Sequence, residues 1–262
     1  ALCDLIPQKA ESLIKDFSLN SKTPIFTDYK EMLETVKPDF VAIATDSGLH
    51  AEIAIYCAEN KINFIVEKPL SMSLVDADRV IEAVEKNNVT ACVSHQNRFN
   101  IAVQHLHNAI TTNRFGKISH GSINIRWHRG DDYYTSENWR GKWASDGGTL
   151  MNQCIHNIDL MQWMIGSEVE RVYAECDTYR NNIEGEDFGA ILVRFKNGAI
   201  GIIEGSAVVY PKNLEETLSI FGTQGTVVIG GLAVNELKTW RFEGEDEEGV
   251  KAGLQVEIDS VY

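Results

Sequence analysis

The 262-residue sequence has no apolar run long enough to cross a membrane and no excess of positive charge. A membrane-spanning helix needs roughly 20 consecutive apolar residues, and no such run occurs. Acidic residues outnumber basic ones, 38 to 24, which gives a formal net charge of -14. Because such a chain repels a phosphate backbone, nucleic-acid binding is not expected. The first residues show no signal-peptide pattern.

Cysteine is sparse and widely scattered, and no metal site is expected. The five cysteines are Cys3, Cys57, Cys92, Cys154 and Cys176. Their odd number and the lack of a C-x-x-C pair argue against a disulfide framework and against zinc. Cys3 and Cys92 lie in apolar, strand-like runs, so we predict buried free thiols in a reducing cytoplasm. His105 and His107 are spaced like a metal pair, but positions i and i+2 of a helix do not share a face.

The first hundred residues alternate between short apolar strands and helices. Strand-like runs occur at ALCD, PIFTDY, FVAIAT, INFIV and VTACVSH. Helical spacing separates these runs, and Ser73 is the expected cap of the helix that ends at Asn87. Uninterrupted apolar strands that alternate with helices predict a parallel sheet covered on both faces. We therefore assign residues 1–97 to an α/β domain.

A different pattern follows residue 98. After a helix at IAVQHLHNAI and an alternating strand at ISHGSINIRW, a Gly-, Trp- and Arg-rich loop precedes one helix predicted at 148–165. Strands are then predicted at 169–177, 187–195, 199–208, 215–221, 225–229 and 235–242. This succession predicts a second, α+β domain over residues 98–262 with a mainly antiparallel sheet. We read the acidic segment 243–249 as a solvated loop and the terminal IDSVY as a strand.

Charged residues follow two of the apolar strands directly. INFIV ends in Glu67, Lys68 and Pro69, and ALCD ends in Asp4. Because ligands bind beyond the carboxyl ends of parallel strands, Lys68 could hold a carbonyl or hydroxyl oxygen. The alternative for Lys68 is a surface turn. An acid in the place of Asp4 binds the ribose of a dinucleotide in some folds, although a turn or cap residue is the alternative.

The glycine fingerprint G-x-G-x-x-G of dinucleotide-binding folds is absent from the chain. It would belong about 20 residues before the ribose-binding acid, upstream of the first residue here. We therefore expect that a first strand-helix unit is missing from this chain.

Polar side chains recur at helical spacing on the predicted helix 148–165, which otherwise looks buried. These are Thr149, Asn152, His156, Asp159 and Trp163. Buried polar groups are costly unless they are partnered, so a whole stripe predicts the lining of a cleft. Histidine is also the usual general base near neutral pH.

Basic and aromatic residues are interleaved in the loop before this helix. The basic residues are Arg126, Arg129, Arg140 and Lys142, and the aromatic ones are Trp127, Tyr133, Tyr134 and Trp139. Arginine binds carboxylate and phosphate bidentately, and aromatic faces stack on sugars or bases. An anionic substrate would fit such a loop. The alternative is a solvated loop whose arginines pair with Asp131, Asp132 and Glu137.

The motifs EKP after a strand and GG-x-L-x-N-x-x-x-H-N-x-D on a later helix resemble the glucose–fructose oxidoreductase / inositol dehydrogenase / MocA family. The segments VSHQNRF (93–99) and FGKI (115–118) match its domain junction, and the resemblance runs from Asp4 to the last strand. It implies a Rossmann-type dinucleotide-binding domain over residues 1–97 and a substrate-binding and oligomerisation domain over 98–262. The first βα unit and the last helices of the second domain would be missing, so the chain alone should bind NAD poorly.

The resemblance also implies roles for individual residues. Lys68 and His156 would be catalytic, and the Lys68–Pro69 bond would often be cis. Cofactor-binding residues would be Asp4, Thr45, His50, Glu67, Lys68 and Gln96. Substrate-binding residues would be Arg98, Arg129, Arg140, Trp143, Asn152 and Lys212. Asn152 stands where many members have Asp, and because an amide cannot act as a base, His156 would do that work alone or with Lys68.

The implied function is NAD-dependent oxidation of a sugar, with NADP the less favoured cofactor because of Asp4. The segments RWHRG, YYTSENWRGKW, DGGTLMNQCIHNIDL and YPKNLEETL look most like members that oxidise UDP-linked N-acetylated uronic acids at C3. Alternatives on the same fold are an NAD-dependent glycosidase, a polyol or inositol dehydrogenase, and a non-catalytic NAD-binding regulator. Family members are often homotetramers or dimers built through the C-terminal sheet, and the same is expected here.

Overall fold

The computed structural model describes residues 1–180, 182–245 and 248–249, and they form two compact units. The first unit comprises Ala1–Thr45 and Leu49–Val93, and the second comprises Asp46–Gly48 and the chain from Ser94 onward. The division after Val93 lies four residues before the boundary predicted at residue 97. The predicted terminal strand IDSVY and part of the acidic segment 243–249 lie outside the described residues.

Short strands and helices alternate through the first unit, as the sequence predicts. Its strands are β1 (Leu2–Cys3), β2 (Ile25–Phe26), β3 (Phe40–Ile43), β4 (Asn63–Glu67) and β5 (Ala91–Ser94). Its helices are α1 (Pro7–Asp16), α2 (Tyr29–Val36), α3 (His50–Glu59) and α4 (Leu74–Asn87). Ser73 caps α4 by accepting a hydrogen bond from the backbone N–H of Asp76 at 3.1 Å, which confirms the predicted cap.

Parallel pairing is confirmed for β1 with β2 and for β3 with β4, and the described strands form two sheets, β1-β2 and β3-β4-β5. The register pairs Val41 with Phe64 and Ile43 with Val66, and this face joins the apolar residues of α3 in one core. Side chains on the opposite face stay accessible, and Phe40 is 57% exposed. The described residues therefore leave part of the sheet β3-β4-β5 accessible.

The second unit contains one large sheet and four helices among the described residues. Its strands are β6 (Ile118–Arg126), β7 (Val169–Asp177), β8 (Phe188–Phe195), β9 (Ile200–Ser206), β10 (Glu215–Gly222), β11 (Gly225–Gly230) and β12 (Glu236–Phe242). Its helices are α5 (Ile101–Thr111), α6 (Asp131–Thr135), α7 (Gly148–Asn152) and α8 (Ile155–Ile165). Short 3₁₀ turns stand at Ser47–Leu49 and Gln96–Phe99.

The seven strands are ordered β12-β11-β10-β6-β9-β8-β7, and only the β6–β9 pair is parallel. The mainly antiparallel sheet predicted for this domain is thus confirmed. Alternate residues such as Ile123, Leu218 and Ile203 point into a core shared with α5 and α8. The other face keeps large apolar side chains exposed, including Tyr173, Leu192 and Ile202.

The helix predicted at 148–165 is interrupted at Gln153 and Cys154. The backbone N–H of Cys154 bonds to the carbonyl of Thr149, five residues earlier, at 3.0 Å. This wider loop breaks the regular i→i−4 ladder and leaves α7 and α8 as separate helices. The predicted polar stripe is therefore divided, with Thr149 and Asn152 before the break and His156, Asp159 and Trp163 after it.

The cysteines correct a second expectation. All five are free, but Cys92 and Cys176 are exposed and Cys3 is half-buried, whereas Cys57 and Cys154 are buried. Cys92 lies on the uncovered part of β5, which explains why an apolar run did not bury it. In the described part of the chain, no three His, Cys, Asp or Glu side chains are grouped to hold a metal ion. No helix there is long and apolar enough to span a membrane.

Candidate active site

In the first unit, the candidate residues stand at the carboxyl ends of the strands. Glu67 is the last residue of β4, Lys68 follows it half-buried, and the Lys68–Pro69 bond is cis as the resemblance implied. Thr45 stands two residues after β3, and Asp4 directly follows β1. Since the ends of parallel strands are where ligands bind in such sheets, these positions suit a cofactor.

Asp4 has features of both of its alternative interpretations. One carboxylate oxygen accepts a hydrogen bond from the backbone N–H of Ile6 at 2.8 Å, which makes Asp4 a turn residue before α1. A carboxylate has about four acceptor positions, so this bond leaves capacity for the hydroxyl groups of a ribose. The remaining acceptor positions of Asp4 fit the ribose of NAD. The glycine-rich turn that would hold a pyrophosphate is absent from the sequence.

His50 has a structural role in the first unit. Its side chain is only 1% exposed, and its two ring nitrogens face backbone carbonyls, Nδ1 that of Pro69 at 2.7 Å and Nε2 that of Thr45 at 3.2 Å. A neutral ring can donate to only one of these two carbonyls. His50 thus ties the end of β3 to the turn that carries Lys68, and its contact with the cofactor stays a prediction.

In the second unit, His156 lies in the first turn of α8 beside a second histidine that the sequence analysis missed. The rings of His95 and His156 meet edge to face with centroids 5.5 Å apart. Asp159 lies 3.8 Å from Nδ1 of His95. The sequence held a signal for His95, because it follows the carboxyl end of β5 as Lys68 follows that of β4.

Arg98 and Arg126 already have carboxylate partners. Arg98 binds Asp159 bidentately, through Nε at 2.7 Å and Nη2 at 2.6 Å, and lies over the ring of Trp163. Arg126 pairs with Glu204 and Glu215, and both glutamates raise the pKa of its guanidinium. Asp159 therefore engages two donors of the Arg98 guanidinium, and the use of Arg98 on substrate stays a prediction.

Arg129 and Arg140 are different, because no acid in the described part of the chain pairs with either of them. Arg129 lies over Trp127 at 4.8 Å and Tyr133 at 5.1 Å, and Arg140 over Tyr133 at 4.2 Å and Trp139 at 4.5 Å. Aromatic faces attract these cations without neutralising them. Two positive charges thus remain available in the loop that sequence analysis assigned to an anionic substrate.

Asn152 is 6% exposed and donates a hydrogen bond to Asp146, which is 3% exposed. Asp146 also accepts the backbone N–H of Gly141 at 2.6 Å. The carboxylate beside residue 152 is therefore supplied by Asp146, which the sequence analysis did not single out. An Asn at 152 suits this neighbour because it donates, whereas an Asp there would place two buried carboxylates together.

A buried acid, Glu216, lies inside the second unit and was also missed. Its alternation with Leu218 and Ile220 in β10 was the available signal, because it puts Glu216 on the inward face. Asn97 donates to it at 3.3 Å, and the Asn157 amide faces it. Burial raises the pKa of Glu216 to about 7, although the two facing amides act in the opposite direction.

The remaining candidates are exposed. Gln96 lies on the 3₁₀ turn Gln96–Phe99, Lys212 lies between β9 and β10, and Trp143 is 57% exposed. The backbone N–H of Trp143 donates to Glu184 at 2.9 Å. Their accessibility allows contact with a ligand but does not by itself assign one.

Two family models match the chain. Residues 1–95 match the oxidoreductase family with an NAD-binding Rossmann fold, and residues 103–228 match the GFO/IDH/MocA C-terminal domain. The solved WlbA dehydrogenase of Bordetella pertussis, in complex with NADH and UDP-GlcNAcA, is 35% identical with a TM-score of 0.89. The match covers 96% of this chain and 72% of that one.

Two curated relatives are dehydrogenases of myo-inositol and of levoglucosan, according to their names. The myo-inositol 2-dehydrogenase of Thermotoga maritima is 29% identical over 209 residues, which is 77% of this chain and 59% of that protein. The levoglucosan dehydrogenase of Pseudarthrobacter phenanthrenivorans is 25% identical over 260 residues, 88% of this chain and 65% of that protein. The chain therefore spans less than two thirds of the length of these relatives.

Proposed function

Because the chain belongs to the GFO/IDH/MocA family of NAD-dependent oxidoreductases, we propose that the protein oxidises an anionic nucleotide sugar with NAD as the hydride acceptor. The proposed substrate is a UDP-linked N-acetylated uronic acid, oxidised at C3 of the sugar ring. One observation carries the choice of substrate: Arg129 and Arg140 keep uncompensated positive charge in a chain of net charge -14. UDP-GlcNAcA, which the WlbA dehydrogenase holds in its complex with NADH, has the matching negative charge.

The proposed reaction oxidises a secondary alcohol of the sugar ring to a ketone. NAD, when bound, supplies the acceptor for the hydride that leaves the ring carbon with the C–H electron pair. His156 takes the hydroxyl proton as general base, and the O–H electron pair becomes the second bond of the carbonyl. Lys68 donates a hydrogen bond to the oxygen and favours its negative charge in the transition state. The tie from His50 to Pro69 holds the turn of Lys68 in place.

Residues of the first unit would hold the cofactor, with Asp4 on the adenosine ribose and Thr45, Glu67 and Lys68 at the neighbouring strand ends. The exposed Gln96 is proposed as a further cofactor contact. Arg129, Arg140, Trp143, Asn152 and Lys212 are proposed for the substrate, with Asn152 held by Asp146.

The test measures the near-ultraviolet absorbance of NADH with UDP-GlcNAcA, myo-inositol and glucose as substrates. We expect net NADH formation to be far faster with UDP-GlcNAcA than with the neutral compounds. Arg140→Ala should raise KM for UDP-GlcNAcA and leave kcat less affected, since it removes binding charge and not a reacting group. Equal or greater activity on the neutral polyols would overturn the substrate assignment.

A polyol or inositol dehydrogenase is the second candidate, favoured by the 29% identity to a myo-inositol 2-dehydrogenase. The same assay separates it, because the polyol would then be the better substrate. An NAD-dependent glycosidase would release sugar without net NADH.

The open face of the large sheet is the proposed oligomer interface. The register aligns Tyr173, Leu192 and Ile202 in one row across β7, β8 and β9, and they are 65%, 49% and 45% exposed. A second copy of this chain would cover such a row and form a dimer or tetramer. Light scattering should show an oligomer that Leu192→Asp reduces to a monomer. A monomeric wild-type protein would contradict this interface.

A further inference from the structure

A chain of hydrogen bonds links a buried acid to a tyrosine between two arginines in the second unit. Its members are Asp146, Asn152, Gln153 and Tyr133, and we call it the Asp146–Tyr133 chain. Asn152 donates to Asp146, Gln153 Nε2 donates to Asn152 Oδ1 at 3.2 Å, and the same Nε2 donates to the Tyr133 hydroxyl oxygen at 2.8 Å.

The direction of every bond in this chain follows from the chemistry of its neighbours. Arg129 Nε, which can only donate, lies 3.1 Å from Gln153 and requires the carbonyl oxygen of that amide. The amide nitrogen of Gln153 must then face Asn152 and Tyr133. Arg140 Nη1 also donates to the Tyr133 hydroxyl oxygen. Tyr133 therefore accepts two hydrogen bonds, and both lone pairs of its oxygen are used.

The Tyr133 hydroxyl can still donate one hydrogen bond, and no acceptor for it occurs in the described part of the chain. Two neighbouring donors share this condition. Arg140 Nε and Trp127 Nε1 have no hydrogen-bond acceptor among the described residues. The cluster around Tyr133 thus offers three donors and two positive charges without an acceptor of its own. An oxygen with negative charge is the ligand that such a cluster selects.

We infer that Tyr133 donates its hydroxyl hydrogen bond to an anionic oxygen of the substrate and is a specificity-determining residue. The oxygen belongs to a carboxylate or to a phosphate, since both are acceptors without donors. Two donors to the Tyr133 oxygen polarise its O–H and strengthen the bond that it donates. Asp146 contributes indirectly, because it orients Asn152 and, through Asn152, Gln153. The inference rests on the proposed function and adds a residue to its substrate site.

The test compares Tyr133→Phe with its matched neighbour Tyr134→Phe. Both variants keep the aromatic ring, and the Tyr134 hydroxyl faces Thr149 instead of the two arginines. Calorimetric titration with UDP-GlcNAcA in the presence of excess NADH measures substrate affinity without turnover. Loss of a hydrogen bond to a charged group should weaken binding by Tyr133→Phe about tenfold to a hundredfold. Tyr134→Phe should bind within about twofold of the wild type, and thermal melting shows whether each variant is folded.

A parallel titration with UDP-GlcNAc, which lacks the carboxylate, identifies the oxygen. If Tyr133→Phe weakens only UDP-GlcNAcA, the acceptor is the carboxylate, and if it weakens both ligands, the acceptor is a phosphate. Folded Tyr133→Phe that binds UDP-GlcNAcA as the wild type does would overturn the inference and leave the proposed function standing. A wild-type protein that does not bind UDP-GlcNAcA would overturn the proposed function and the inference together.

Discussion

Replacing Glu216 by Gln tests whether the second unit folds around an acid that keeps its proton near neutral pH. Glu216 is 1% exposed on β10, and its neighbours are the neutral amides of Asn97 and Asn157. Burial raises the pKa of its carboxyl from 4.5 to about 7. Glutamine has the shape of the protonated carboxyl and cannot ionise, so Glu216→Gln imitates the neutral form at every pH.

The sign of the effect follows from linkage. Below pH 4.5 the carboxyl is protonated in the folded and the unfolded protein, and the stabilisation from its raised pKa is fully present. As pH rises toward 7, the unfolded protein releases this proton first, so the free energy of unfolding falls. The difference between 4.5 and about 7 corresponds to about 3 kcal/mol in total. Between pH 5 and 8 the expected loss in the wild type is about 2.5 kcal/mol.

Urea unfolding followed by tryptophan fluorescence measures this loss in the relevant unit, because all five tryptophans lie in the second unit. The free energy of unfolding of Glu216→Gln, relative to that of the wild type, should therefore rise by about 2.5 kcal/mol between pH 5 and pH 8. Equal pH dependence in the two proteins would refute the reasoning and show that Glu216 ionises as it does in water. Glu204→Gln is the matched control, since the Arg126 bonds lower the pKa of Glu204. Glu204→Gln should therefore lose stability relative to the wild type at pH 8, and this loss should fade as pH falls. The loss should not exceed about 1 kcal/mol, because the ion pair is partly exposed.

Four further substitutions test the proposed site. Lys68→Met should lower kcat by at least about a hundredfold while the protein stays folded, and turnover within about tenfold would contradict a catalytic role. His156→Asn should cost a similar factor and remove the pH dependence of the rate near neutrality, and an unchanged profile would show that another group is the base. Asn152→Asp should destabilise the protein at pH 8 more than at pH 5, because it faces Asp146, and urea unfolding at both pH values checks this. Asp4→Ala should weaken NAD binding far more than NADP binding in titrations, and an unchanged preference would remove Asp4 from the cofactor site.

The sequence predicted where helices and strands lie better than it predicted their detailed geometry. Strand and helix periodicity located most of the described elements but not α6, which lies in a segment predicted as a loop, and the positions after β1 and β4 marked Asp4 and Lys68. The same periodicity wrongly predicted one helix over 148–165. This error concerns backbone geometry, since a shifted backbone bond at Cys154 does not appear in a pattern of apolar residues.

The function of each charged residue depended on pairing between residues that are far apart in the sequence. Arg98 and Asp159 are 61 positions apart, and Asn97 and Glu216 are 119 apart. No local pattern shows that Arg98 pairs with Asp159 while no acid in the described part of the chain pairs with Arg140. His50 illustrates the same limit, because no local pattern shows that its ring nitrogens face the carbonyls of Thr45 and Pro69.

By itself, then, the sequence determined which side chains stand at strand ends and on inward faces, because strand and helix periods are local properties of the backbone. Only the tertiary structure decided which of those side chains still have a charge or a donor to offer a ligand. That outcome depends on where every hydrogen-bond partner lies. Around Tyr133, the tertiary structure places no acid of the described residues in an ion pair with Arg129 or Arg140. It also leaves the Tyr133 hydroxyl able to donate a hydrogen bond.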